Sequence, residues 1–304
     1  MSSTPQSWPV QLLDRGLRMA GRLPLPVLHA FGALLGRTLW LCRARARRVA
    51  ERNLSRVLPQ DDAATRRRLA CATLVETGKA VAEIAKIWGG GPARALALVR
   101  DVRGLDLFDA ALARGNGLIV AAPHLGCWEL LNYWLANRTE LAILYRAPRH
   151  PALEPLLLKA RGSLPVEQVR ADGSGVRVLY RRLAAGGVVG ILPDQKPRAG
   201  TGVDAPFFGV PAKTMVLLPR LAARTGATVL FGFAERLPRG AGYRLHFRSA
   251  PAAIAGTDIT AACLALNHGI EDCVRLAFTQ YQWSYKRFAD GARQQDAERL
   301  SASR

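Results

Sequence analysis

His124 and Glu129 stand five positions apart, and their types suit an acid–base pair. An imidazole beside a carboxylate makes a general base: the carboxylate fixes the ring tautomer and stabilises the imidazolium once the ring has taken a proton. The same two residues could also serve as a local cap and ion pair, so the spacing alone does not decide between chemistry and structure. Cys127, between them, is a weaker candidate nucleophile because it occupies a spacer position.

Further polar groups fall at similar places. Arg146 and Arg149 follow an apolar run at 141–145, and Lys159 and Arg161 lie on the helix expected over 152–162. Forked guanidinium groups at a strand end suit phosphate or carboxylate. Asp194 and Gln195 follow a second buried run at 188–192. Asp172-Gly-Ser-Gly175 has the wrong order for a nucleophile elbow, and no other serine stands out. Five cysteines at long spacings, without a Cys-x-x-Cys or a His/Cys cluster, read as reduced thiols and not as a disulfide framework or zinc site.

The elements that must carry these groups alternate between strand and helix. Gly117 to Ala122 is a continuous apolar run, the pattern of a strand buried on both faces. Pro123 stops it, Gly126 permits a sharp turn, and Trp128 to Ala136 begins a helix. His124 therefore falls at a strand-to-helix turn, where α/β proteins place their ligands, and Glu129 falls in the first turn of the helix, near its positive end. Short strands are expected near 102–105, 141–145 and 188–192, with helices at 62–88, 108–113, 152–162, 172–185, 214–224 and 260–278. Residues 205–211 read as an aromatic, proline-rich loop. The late runs 228–234 and 243–247 suggest an antiparallel edge. The fold class is α/β: one domain over 61–290 with a mixed, largely parallel sheet flanked by helices, preceded by an N-terminal helical region (1–60) and followed by a polar tail (291–304).

The chain of 304 residues carries a formal net charge of +20, which calls for a polyanionic partner. Residues 1–68 hold thirteen arginines against four acidic side chains. The apolar stretch 23–42 is short for a spanning helix and reads as an interfacial or re-entrant segment beside a basic cluster, a pattern suited to an anionic membrane surface. No named nucleic-acid-binding module is present and the basic residues are not interleaved with aromatics, which argues against nucleic acid.

In order along the chain, Pro123-His-Leu-Gly-Cys-Trp-Glu-Leu130, Tyr145-Arg146 with the basic helix ending near Arg161, Pro193-Asp-Gln195, Ala205-Pro-Phe-Phe-Gly209 and Gln280-Tyr-Gln-Trp283 with Lys286-Arg-Phe288 resemble the blocks of the late acyltransferases of lipid A biosynthesis. That family lies within the His-x4-Asp/Glu acyltransferases. The resemblance implies a glycerol-3-phosphate-acyltransferase-like fold at the cytoplasmic face of the inner membrane. It implies transfer of a fatty acyl chain from acyl carrier protein, or from acyl-CoA, to a hydroxyl of a phosphorylated glycolipid, without metal or other cofactor. His124 would take the proton and Glu129 would orient and charge the ring. Arg146 and Arg161 would bind substrate anions, and Asp194 and Gln195 would position the acceptor or shape the site. Within the fold the alternatives are another lipid acceptor, a lysophospholipid or an aminolipid, and a binding or assembly protein that keeps the fold without turnover; outside it, the less favoured alternative is a basic nucleic-acid-binding protein.

Overall fold

The computed structural model describes residues 8–145, 147, 154–171, 173–198 and 200–289. Arg146, Arg149, Asp172 and the tail beyond 289 lie outside the described residues.

The sheet comprises β1 (Val99–Arg103), β2 (Leu118–Ala121), β3 (Leu141–Tyr145), β4 (Val166–Arg170), β5 (Val188–Ile191), β8 (Thr228–Arg236) and β9 (Tyr243–Ser249). Its spatial order is β1-β9-β8-β2-β5-β3-β4. The five strands from β8 to β4 run parallel, whereas β9 is antiparallel to β8 and parallel to β1. β2 and β5 occupy the centre and are buried at every position, which explains their unbroken apolar runs. The expected antiparallel pair is β8 and β9, but it does not form the edge. β1 adds outside β9, so β1 and β4 are the edge strands.

β6 (Gly202–Phe207) and β7 (Val210–Met215) form a separate hairpin. This corrects two expectations: 205–211 is not a loop, and 214–215 belong to a strand ahead of the helix. Burial alternates along β7, with Val210, Ala212 and Thr214 inward. The two-residue turn has φ of 50° at Phe208 and 72° at Gly209, the positive pair that matches strand twist in a tight hairpin. Pro206 and Pro211 face each other across the ladder, and their presence disguises the strands in the sequence.

Helices cover both faces. On one face lie α3 (Arg45–Val57), α4 (Ala63–Ile84), α9 (Gly173–Ala184), α10 (Leu217–Thr225) and α11 (Ile259–Leu276), whose apolar residues share a core with Ile119, Val189 and Phe231. On the other lie α5 (Pro92–Leu96), α6 (Leu105–Ala113) and α7 (Trp128–Arg138), packed on Leu118, Val120 and Leu230. α8 (Glu154–Arg161) precedes β4.

Two N-terminal helices, α1 (Trp8–Gly21) and α2 (Leu25–Leu41), complete the chain. α1 meets a π-helical turn, Ala85–Gly89, that extends α4. α2 crosses α4 at Gly32, Gly36 and Gly78, where any Cβ would collide with the facing backbone. A buried ionic cluster fixes the same crossing: Arg236 on β8 grips Glu83 at 2.5 and 2.7 Å and Glu76 at 2.8 Å, and His29 of α2 lies 2.7 Å from Glu83. Burial pushes the Glu83 carboxyl up, but the Arg236 charge outweighs it and holds the group at about 2.

Among the described residues no single helix is long and apolar enough to cross a membrane; α2 and α3 meet the composition only as a pair bent by 81°.

Candidate active site

The candidate groups gather at the carboxyl ends of the parallel strands, as expected for an open α/β sheet. After β2, Ala122 N still donates to Ile191 O of β5 at 2.8 Å, and the chain then turns. Gly126 has φ of 62°, and a Cβ there would strike the Ala234 carbonyl, so this turn requires glycine. The turn is stapled by Gly126 N to Gln280 O (3.2 Å), Cys127 N to Ala234 O (2.9 Å) and Gln282 N to His124 O (3.0 Å). His124 is thus positioned by β5, β8 and the segment after α11 together.

The ring finds its carboxylate on β5's extension, not on α7. His124 Nδ1 lies 2.8 Å from Asp194 Oδ1, and the His124 backbone N–H donates to Oδ2 at 2.9 Å. Burial of Asp194 pushes its carboxyl up; His124, through charge and hydrogen bonds, and then Arg287 outweigh that and leave it below the usual carboxylate range. An ionised Asp194 can only accept, so Nδ1 is the donor and Nε2 carries the lone pair. The nearest group to Nε2 is the Gln195 amide nitrogen at 3.1 Å, itself 3.4 Å from Gln282 Oε1. Burial, and then the nearby Asp194 charge, push the Tyr281 hydroxyl well up.

Glu129 does not orient His124, which corrects the pairing inferred from the motif. It is buried at the start of α7 and receives Arg161 at 3.1 and 2.5 Å and the Trp88 indole at 3.0 Å. Burial raises the Glu129 carboxyl, while Arg161, Trp88 and Trp128 lower it further, leaving it below its ordinary value. Arg161, expected to hold substrate anions, therefore commits Nε and Nη2 to Glu129. Trp128 lies between the two centres: it contributes to lowering Glu129, and its ring lies edge-on to His124 at 5.2 Å. Cys127 is buried and its thiol is pushed well up by burial and by Glu83, the opposite of what a thiolate nucleophile needs.

Beside this pair, a cleft of about 330 Å³ opens between α1, the π turn and α8, with Leu17, Trp88, Leu156 and Lys159 among its walls. Trp88 closes the cleft toward Glu129. Among the described residues, no three His, Cys, Asp or Glu side chains converge as a metal site would require.

Asp194 was legible as a site residue, but not as the partner of His124. The missing fact is strand order. β2 and β5 are neighbours in register, Leu118 opposite Val188 through Ala121 opposite Ile191. Continued three residues beyond the last pair, that register brings His124 to Asp194. Tyr281 and Gln282 lie in the motif block 280–283, which assigned neither a role, and Trp88 carried no site signal; each reaches the site from a distant part of the chain.

The model of the bacterial lipid A biosynthesis acyltransferase family matches residues 2–290. The chain belongs to that family. It is an acyltransferase. Over 285 residues, 93% of this chain and 92% of the relative, this family member is 25% identical to a lipid A biosynthesis lauroyltransferase of Escherichia coli (strain K12). Over 201 residues, 64% of this chain and 63% of the relative, it is 32% identical to a phosphatidylinositol mannoside acyltransferase of Mycobacterium tuberculosis. The match to the family thus confirms the resemblance carried by the ordered motif blocks.

Proposed function

We propose that this acyltransferase moves a fatty acyl chain from an acyl thioester to a hydroxyl of a lipid A precursor, with His124 as general base and Asp194 as its orienting carboxylate. The observation that carries the reading is the His124–Asp194 pair at 2.8 Å, which leaves Nε2 as an acceptor at the mouth of the strands. The acceptor hydroxyl donates to Nε2 in the place the Gln195 amide now holds. As its oxygen attacks the thioester carbonyl, the proton passes to Nε2, and Asp194 stabilises the imidazolium. The tetrahedral intermediate then collapses, the C–S bond breaks, and the leaving thiolate takes the proton back from His124. Thiolates leave readily, so the sequence of steps needs no covalent acyl-enzyme.

In this scheme the Glu129–Arg161 pair is a rigid wall beside Trp128, whose ring lies edge-on to His124. Arg161 Nη1, with no protein partner among the described residues, is available to a substrate phosphate. Arg146 serves the same end. Docking on an anionic membrane surface is supported by α1 and α2, which expose Trp8, Met19, Phe31, Leu34 and Leu41 beside Arg15, Arg22 and Arg37. α2 packs on the turn at Pro238–Gly240 after β8, at the same end of the sheet as His124, so a membrane bound there would present lipid to the site.

The 32% identity to a phosphatidylinositol mannoside acyltransferase favours one second reading, an acceptor that is a different phosphorylated glycolipid. The deciding experiment is acyl transfer by detergent-solubilised protein, offered acyl carrier protein and CoA thioesters with a tetra-acylated lipid A precursor, a mannosylated phosphoinositide or a lysophospholipid. Mass gain on the lipid A precursor, absent in His124→Ala, supports the proposal. Gain only on another lipid moves the acceptor, and equal turnover by His124→Ala overturns the mechanism.

A further inference from the structure

The excess of arginine is distributed over two surfaces of different chemistry. On α1 and α2 it flanks exposed large apolar side chains. On α9 and α10 it does not. Arg177 and Arg181 on α9, and Arg220 and Arg224 on α10, are all exposed, and neither helix contains an acidic residue. No large apolar side chain of either helix is exposed. The two helices pack side by side, with Arg224 5.4 Å from the Tyr180 ring, so the two arginine rows form one patch.

Some exposed arginines elsewhere are partnered, as Arg170 is with Glu154 and Arg275 with Glu271 and Asp272, and others, such as Arg68, Arg114 and Arg248, stand apart from one another along the chain. On α9 even Arg182, one step off the patch, holds Glu140 and Glu167. The four patch arginines have no acidic partner among the described residues. Like charges spaced i, i+4 on a helix oppose its stability. Two such rows placed together, without compensation, fit a surface kept for an anionic partner.

Position suggests which partner. α9 follows β4 and α10 leads into β8, so both helices start at the end of the sheet that carries His124. α9, of 12 residues, extends about 18 Å down the face from that rim. β4 lies three strand spacings from β2, about 15 Å. A partner seated on the patch therefore has its upper edge within a short tether of the site, on the face of the sheet that α9 and α10 cover. A lipid bilayer would seek exposed apolar anchors, which this patch lacks.

Resting on the acyl-transfer reading above, we infer that the α9–α10 arginine patch is the docking surface for a soluble, strongly acidic protein that delivers the acyl chain as a tethered thioester. Binding is then steered by charge, with association that weakens steeply as salt rises.

The test uses full-length protein and the charge-reversed variants Arg177→Glu/Arg181→Glu and Arg220→Glu/Arg224→Glu, each checked for an unchanged melting temperature. Acyl carrier protein serves as the acidic probe and acyl-CoA as the donor without a protein. Each variant is expected to raise KM for the carrier-bound donor at least tenfold, to leave kcat and KM for acyl-CoA unchanged, and to keep binding to anionic vesicles. Fluorescence anisotropy of labelled carrier protein should show the same loss without turnover, so the inference remains testable even if wild-type protein transfers no acyl group and the acyl-transfer scheme itself fails. Unchanged carrier binding overturns the inference. So does a loss of vesicle binding with carrier KM intact, which would make the patch a membrane contact.

Discussion

Among the described residues three histidines are paired with carboxylates, and one pair is suited to chemistry. His29–Glu83 and His124–Asp194 have nearly the same length, 2.7 and 2.8 Å. They differ in what else the carboxylate holds. Glu83 is gripped by both arms of Arg236 and is closed inside the crossing of α2, α4 and β8. Asp194 has no arginine in its grip, so its charge acts on the ring, and it binds Nδ1, which leaves Nε2 directed at the strand ends. In the third pair, His246–Glu235, the His246 ring of β9 stacks on Phe233 of β8. The residue types are shared; the remaining partners separate scaffold from site.

The largest effect that should sharpen this contrast is on turnover. His124→Ala is expected to lower kcat by about a thousandfold or more, and Asp194→Asn by about a hundredfold or more, both with little change in melting temperature. Glu83→Gln should do the reverse. It removes the charge that compensates buried Arg236 and is expected to cost about 3–5 kcal/mol of stability, read by denaturant unfolding, with turnover per folded molecule retained. Loss of activity without loss of stability in Glu83→Gln would break the distinction.

Acid should act on the scaffold pair with a definite sign. Glu83 is held at about 2 in the folded protein against 4.5 for an ordinary glutamate. A depressed carboxyl stabilises the fold above pH 4.5, and that contribution is lost as pH falls toward 2. The wild-type melting temperature should therefore fall across that window, and more steeply than that of Glu83→Gln.

How much of this was legible in the sequence depended on whether a feature is local. The central strand, the break at Pro123, the turn at Gly126 and helix α7 follow from apolar runs and from proline and glycine placement, and they appear within two residues of expectation. His124 as a strand-end residue follows from the same signals. The partner of His124 does not, because strand order places β5, and not β3, beside β2. Motif spacing pointed to Glu129, a neighbour along the chain, whereas the register of two distant strands supplies Asp194. The hairpin β6–β7 was hidden by its prolines, and β4 by its polar edge position. The π turn that brings Trp88 to Glu129 has no signature in composition.

The smallest expected effect concerns the group now facing Nε2. Gln195→Ala should lower kcat about tenfold or less, since the amide holds the ring only until the acceptor hydroxyl takes its place; this is read under saturating donor.

The central claim, that Asp194 and not Glu129 sets the state of His124, is tested most directly by nitrogen NMR of protein labelled in its five histidines, with His124→Ala assigning the signal. In its neutral form the wild-type ring should show a protonated Nδ1 and a bare Nε2. Asp194→Asn should shift that tautomer balance, while Glu129→Gln should leave it in place. A His124 signal that moves in Glu129→Gln and stays fixed in Asp194→Asn would contradict the account.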